Sequence, residues 1–523
     1  MVERLAREEA TMSAREGPLK RRSSRDALKW SYILAWVTKG INIVSLFVLA
    51  KLLGPEAFGV AALAMTFVML IEVIVDSGLM MAIVQRKDLD PRDLDSLFWL
   101  NIAISVVLAL LSYLGSDLLG WVVDNKEVPL MFAALSPLIL VKGLTVVQMG
   151  LAQRNMMFKT LAIRGATGAA IGGIAAVVAA LAGLGIWSLI VQYLTTALIS
   201  LVMLWRLGDW RPTMRFEWKR ATSFFHFSSG IVSSQIAVFA ANHADVFVMG
   251  ALFGEAAVGI FRLALRVVNL AVDMLVRPVQ VVATPRLAGL QHDPAALRAE
   301  TLRLLRKSTL LMLPAMAALA ASAELCSVLL GSRWQSAESA IRILTILGVV
   351  KSATLLSGPV LLALGRSHTA AIGSWTSCFV TVAIVLLVGM LTRNQDPTAQ
   401  VDAIAWARAA ALTLFVAPVQ CFFMGRMIQL TIPSLALAIA PGVIAAIATL
   451  TVGMTLQAST QALGASEPIS ASCAAFSSML TAAAIVVLLR RRSRQDQTST
   501  RAAWTVTSAI PLPTADPATG DRQ

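Results

Sequence analysis

Five polar side chains, Arg262, Arg266, Asn269, Asp273 and Arg277, punctuate an otherwise apolar stretch at about 256 to 280. At 100° per residue they fall at about 0°, 40°, 340°, 20° and 60° around a helix, one narrow seam. An ionisable group in mid-bilayer costs about 2.5 kcal/mol or more unless it faces protein or water. A seam of three cations, one carboxylate and one amide therefore points to a wet cavity walled by protein. Guanidinium groups recognise phosphates and carboxylates through paired hydrogen bonds, so the chemistry such a seam suits is the binding of an anion such as a diphosphate.

Further polar residues interrupt other apolar stretches. Lys39 and Asn42 lie in the first, Glu72 and Asp76 one turn apart in the second, and Lys142 in the fourth. Gln235, Asn242, His243 and Asp245 share the seventh, Arg342 and Lys351 the tenth, and Arg408 the twelfth. The cations Lys39, Lys142, Lys351 and Arg408 are candidates to line the same cavity as Arg262 and Arg266. The carboxylates Glu72, Asp76, Asp245 and Asp273, with the amides Asn42, Gln235, Asn242 and Asn269, could line it too. A carboxylate that exchanges a proton or Na⁺ can bias two conformations, so Asp76, Asp245 and Asp273 are candidates for ion coupling. The competing reading is structural ion pairing, or side chains reaching the interface from helix ends. That reading is preferred for Arg277, Arg342 and His226.

These residues need long helices to carry them. Of 523 residues 57% are hydrophobic and 14% charged, far from the roughly 25% charge of soluble domains. The chain reads as an all-α integral membrane protein. Runs of about 18 or more apolar residues give about fourteen spans, and the alternation a β-barrel needs is absent. The net charge of +14 does not point to nucleic acid. Arg and Lys cluster in alternate loops, as at Lys20-Arg21-Arg22, Arg86-Lys87, Arg154 and Lys159, Arg211 to Arg220, and Arg490-Arg491-Arg492. The positive-inside rule then places both termini in the cytoplasm. No signal peptide is apparent in the first 27 residues. Cys326, Cys378, Cys421 and Cys473 fall in separate apolar runs and read as ordinary lipid-phase residues.

One turn recurs. Leu52-Leu-Gly-Pro-Glu-Ala-Phe-Gly59 returns as Leu252-Phe-Gly-Glu-Ala-Ala-Val-Gly259, with Asn42 matching Asn242 and Phe47-Val48 matching Phe247-Val248. Gly54, Gly59, Gly254 and Gly259 are thus equivalent inter-helix turn residues in two halves. Six spans separate the turns, so the halves insert the same way up as parallel repeats. The expected organisation is a cytoplasmic tail at 1–27, a six-helix lobe at 28–207, a basic linker at 208–221, a second lobe at 222–425, an extra helix pair at 433–490 and a disordered tail at 491–523.

Some motifs carry less. Asp88-Leu-Asp90 and Asp93-Leu-Asp95 resemble metal-holding acid pairs of glycosyltransferases, but a loop of this size builds no such domain. They read as solvated and helix-capping residues around Pro91. No metal-ligand spacing, phosphate loop or catalytic constellation is present, so the chain reads as no enzyme, with no cofactor.

The run Leu53-Gly54-Pro55-Glu56-Ala57-Phe58-Gly59, then Asp76-Ser77-Gly78-Leu79, Phe98-Trp99-Leu100-Asn101, Arg154-Asn-Met-Met-Phe158 and Gly185-Ile186-Trp187-Ser188-Leu189, resembles the polysaccharide transporter (Wzx-type oligosaccharide flippase) family. Leu330-Gly-Ser-Arg-Trp334 and Gly358-Pro-Val-Leu-Leu-Ala-Leu-Gly-Arg366 extend the likeness over roughly residues 28 to 430. Phe261 departs from the Tyr expected after the second turn. The resemblance implies two V-shaped lobes with a cationic lumen and alternating access. It implies transfer of polyprenyl-diphosphate-linked oligosaccharide units across a bacterial inner membrane, for exopolysaccharide, capsule or O-antigen. Arg262 and Arg266 would then contact the diphosphate or acidic sugars, supported by Lys39 and Lys351. A polymerase and export machinery would be further partners, and coupling to a proton or Na⁺ gradient is an expectation. A drug exporter or lipid II exporter of the same superfamily, or a polytopic polymerase, are the alternatives.

Overall fold

The computed structural model describes residues 18–85, 89–122, 125–208, 210–291, 293–357, 360, 367–464, 466 and 468–486. Among these residues the regular elements are helices. The first helical stretch, Pro18–Gln85, is kinked at Gly54, which divides it into α1 (18–53) and α2 (55–85). The rest of the first lobe is α3 (Pro91–Leu114), α4 (Glu127–Arg154, interrupted at Ser136), α5 (Phe158–Leu181) and α6 (Trp187–Leu207). The second lobe holds α7 (Trp218–Leu252), α8 (Glu255–Ala288), α9 (Pro294–Ala321), α10 (Ser336–Thr354), α11 (Ser367–Leu391) and α12 (Pro397–Ile428). The extra pair is α13 (Ile432–Ala462) and α14 (Pro468–Val486).

Eleven helices among the described residues are long and apolar enough to cross a membrane, which makes this a multi-pass membrane protein. The sequence reading of about fourteen differs from that count at identifiable places. Trp36–Val75 runs through the Gly54 kink as one span, and neither α8 nor α10 is among the eleven. Both carry several charges, Arg262, Arg266, Asp273 and Arg277 on α8, and Arg342 and Lys351 on α10.

The two repeated turns share a backbone conformation, Gly54 and Gly254 each having φ 81°, a region open to glycine without the Cβ penalty. Each turn lets one long helix leave and the next return. The turns also meet one another. A Cβ built on Gly59 would lie 1.8 Å from the carbonyl oxygen of Glu255, and one on Gly259 would lie 1.9 Å from that of Pro55. Positions 55 and 255 are equivalent under the repeat, so the contact is reciprocal, the signature of a two-fold axis. Trp334 reinforces this junction. Its buried ring donates Nε1–H to the Ala50 carbonyl at 3.2 Å and meets Phe58 edge-on at 5.8 Å. Deeper in, Phe67 of α2 packs on Phe247 of α7, and Gly250 leaves room for Leu63. Phe261 is fully buried.

The acids at the start of α3 correct the sequence reading. Asp90 does cap the helix, accepting from the Arg92 N–H at 3.1 Å, while Asp93 accepts from the Asp90 N–H at 3.2 Å. Asp93 and Asp95, however, are buried, because the basic linker lies over them. Asp95 accepts from the Thr213 N–H at 3.0 Å and from its hydroxyl, Trp99 donates to the Thr213 carbonyl at 2.8 Å, and Ser96 accepts from the Glu217 N–H at 3.0 Å. Arg220 closes the arrangement on Asp93 (2.9 Å), Asp90 (3.2 Å) and Glu217 (2.7 Å). Asp88 lies outside the described residues. The linker is thus fastened to the first lobe, and Gln148 of α4 adds a bond to the Trp210 carbonyl at 2.8 Å.

The Arg92 N–H and the Arg220 guanidinium hold the Asp90 carboxyl below its ordinary range. A depressed folded-state pKa adds stability above the unfolded value, lost as pH falls through the folded one. Linker docking should therefore be constant from neutral to alkaline pH and loosen only in acid. We expect Arg220→Gln to raise the rate of proteolytic cleavage between residues 208 and 221 several-fold at pH 7. An unchanged cleavage rate in membranes would show that the cluster does not hold the linker.

Candidate functional site

The seam on α8 faces the first lobe. Arg262, Arg266 and Asn269 line a cavity of about 300 Å³, whose opposite walls are Asn42 and Leu46 of α1, Met65 and Met69 of α2, and Gln192 and Tyr193 of α6. The cavity therefore lies between the lobes. Arg262 is held at 3.4 Å from Nδ1 of His243, whose ring stacks on Phe239 with centroids 4.3 Å apart. Arg266 is exposed and, among the described residues, has no carboxylate within ion-pair distance.

Asp273, the next seam residue, is engaged differently. Its Oδ2 accepts from Lys39 Nζ at 2.8 Å, an ion pair between α1 and α8 that joins the two lobes. Both side chains stay about 30% exposed, at 32% and 30%. Lys39 lies about 22 Å along α1 from the Gly54 turn at 1.5 Å per residue. The arginine cavity consequently sits between two inter-lobe contacts, the glycine crossing on one side and this pair on the other.

A second cavity, of about 190 Å³, lies within the second lobe. Asn242 of α7, Lys351 of α10, Ser374, Ser377 and Thr381 of α11, and Arg408 and Gln420 of α12 line it. Arg408 is 8% exposed and donates to Asp245 Oδ2 at 2.8 Å, with Asp245 fully buried; its other amino group reaches Asn242 Oδ1 at 3.5 Å. Lys351 donates to Asn269 Oδ1 at 3.2 Å. Asn269 lines the first cavity, so this hydrogen bond is the partition between the two.

The structure thus divides the expected set. Arg262, Arg266, Asn42 and Asn269 face the inter-lobe cavity, while Lys351, Arg408 and Asn242 face the second. Lys39, Asp273 and Asp245 serve in ion pairs. Lys142 and Glu72 are half-buried and Gln235 exposed, and none lines either cavity. Arg342 is paired with Glu338 at 4.0 Å. The side chains of Asp76, Arg277 and His226 lie outside the described residues. Sequence reading missed Gln192, Tyr193, Ser374, Ser377, Thr381 and Gln420. The serines and threonine recur at i, i+3 and i+7 on α11, a one-sided spacing that could have exposed them.

The fold and cavities define a multi-pass helical membrane protein in which two repeated lobes enclose a charged interior. The chain belongs to the family described as Polysaccharide biosynthesis protein, which matches residues 48–339. It is 30% identical over 319 residues to the succinoglycan biosynthesis transport protein ExoT of Rhizobium meliloti (strain 1021), covering 61% of this chain and 64% of that protein. It is 24% identical to the teichuronic acid biosynthesis protein TuaB of Bacillus subtilis (strain 168), over 73% of this chain and 78% of that one. Among solved structures, the lipid II flippase MurJ in an inward closed conformation superimposes with a TM-score of 0.65 at 14% identity, covering 90% of this chain and 99% of MurJ. A multidrug resistance MATE transporter of the MOP superfamily gives 0.61 at 15% identity, covering 75% and 94%. These structural likenesses establish the fold.

Proposed function

We propose that the protein is a flippase for polyprenyl-diphosphate-linked oligosaccharides, carrying them across the bacterial inner membrane by alternating access for surface polysaccharide synthesis. The observation that carries this reading is the pair Arg262 and Arg266 on a cavity walled by both lobes. Two guanidinium groups suit a diphosphate, and a cavity that both lobes build changes when they move. Sugars and diphosphate would cross inside it while the polyprenyl chain stays in lipid. The names of the relatives support the reading: one is a succinoglycan transport protein and another acts in teichuronic acid biosynthesis.

In this reading both termini are cytoplasmic and the Gly54 and Gly254 turns lie on the periplasmic side, where the lobes are shut. Asp273 is the carboxylate best placed for ion coupling, because its loss of charge would release Lys39 and unfasten the lobes. Asp245, locked against Arg408, is less suited to exchange an ion. Flipping that ignored both proton and Na⁺ gradients would remove the coupling role. A polymerase and export machinery would take the product on the periplasmic side.

Arg266→Gln should abolish surface polysaccharide while membrane abundance stays normal, with lipid-linked units accumulating on the cytoplasmic leaflet. Full export by that variant would sink the assignment of Arg266. A strain lacking the gene, with intact polysaccharide and altered drug sensitivity, would favour a drug exporter instead.

A further inference from the structure

The cavity inside the second lobe is not accounted for by diphosphate binding, and its chemistry differs from that of the arginine cavity. Arg408 is already neutralised by Asp245 at 2.8 Å. Lys351 is not: it donates to a neutral amide, Asn269, and no described carboxylate lies within ion-pair distance. The pocket therefore presents one ammonium that no described carboxylate pairs with directly. Three hydroxyls, Ser374, Ser377 and Thr381, and the amide of Gln420 line the same pocket. The Ser377 hydroxyl donates to the Gly373 carbonyl at 2.7 Å, which leaves its lone pairs free to accept.

The backbone of α12 is built for this wall. Residues Ala411–Val416 form a π-helix, a rare element that occurs most often at functional sites. Arg408, Leu412, Val416 and Gln420 all line the pocket at a spacing of four. In a regular α-helix such a row drifts by about 40° per step. The wider π turn takes up that drift and keeps Gln420 on the face of Arg408. A rare backbone form that costs ordinary helical hydrogen bonding is here tied to one pocket.

We propose that this pocket is a second ligand subsite, which takes a sugar ring bearing a single carboxylate, while Arg262 and Arg266 take the diphosphate. The proposal rests on the flippase reading and adds to it the site that reads the glycan. One lysine matches one carboxylate, and hydroxyl and amide groups match the hydroxyls of the ring. The pocket volume of about 190 Å³ suits one ring rather than an oligosaccharide. The Lys351 to Asn269 hydrogen bond places the subsite next to the diphosphate cavity, so a sugar near the diphosphate would reach it.

The test uses the purified full-length protein in lipid nanodiscs and three probes: farnesyl diphosphate, and farnesyl-diphosphate-linked disaccharides ending in glucose or in glucuronic acid. Wild type should bind the glucuronic acid probe at least tenfold more tightly than the glucose probe. Lys351→Met should bring that ratio close to one, Lys351→Arg should keep most of it, and Thr381→Val should weaken both sugar probes relative to farnesyl diphosphate. Arg266→Gln should weaken all three probes alike. Equal binding of the two sugar probes by wild type, or a ratio that survives in Lys351→Met, overturns the subsite while leaving the flippase reading intact. Failure of all three probes to bind wild type overturns that reading and the subsite with it.

Discussion

Replacing Gly59 or Gly259 by alanine should cost at least tenfold in transport while the protein still inserts and accumulates. The cause is local and steric. The added methyl would fall 1.8 Å from the Glu255 carbonyl oxygen or 1.9 Å from the Pro55 carbonyl oxygen. Both obstructing atoms are backbone, so no side-chain rotation relieves the overlap, and packed interiors resist such intrusions. The relief available is to move α2 and α8 apart, which denies the lobes their closed contact on that face. Spin labels at E56C and A256C, on the two turns, should report a longer and broader distance in either alanine variant than in the parent. Normal transport with an unchanged distance distribution would show that the crossing does not govern closure.

The second large effect belongs to the Arg408 and Asp245 pair. Arg408→Met leaves a fully buried carboxylate without its partner. Breaking a buried pair from one side costs about 3 to 5 kcal/mol, whereas replacing both members by neutral groups is often close to neutral. We expect Arg408→Met to lower the thermal unfolding midpoint in detergent by about 3 to 5 °C. The double variant Arg408→Met with Asp245→Asn should regain most of the loss. Equal destabilisation of single and double variants would mean that Arg408 acts through its packing on the pocket wall and not through its charge.

How far the sequence revealed this depends on which physical signal each feature leaves in it. The α8 seam was legible because helical periodicity places Arg262, Arg266 and Asn269 on one face whatever surrounds the helix. Its division of labour was not. Lys39 and Asp273 are 234 residues apart, Asp245 and Arg408 163 apart, and no local pattern says which cation meets which carboxylate. The acids near Pro91 read from sequence as solvated and capping residues because capping is a local interaction and docking of the linker is not. The hydroxyls of α11 escaped notice because serine and threonine bond to their own helix in ordinary membrane spans. The π segment of α12 leaves no pattern in sequence that the helical period would flag.

The repeat itself was plain, but not that its two copies touch. The crossing at Gly59 and Gly259 is made with the carbonyls of Pro55 and Glu255, so the side chains at those equivalent positions take no part in the overlap. Proline in one copy and glutamate in the other are therefore equally compatible with it. A contact of this reciprocal kind would serve two separate half-length chains as well as it serves one fused chain. Fusion adds a high effective concentration of each half for the other, which permits the contact to be small and reversible. It also frees the halves to differ, so that one of them could acquire the arginine seam without its image appearing on the other.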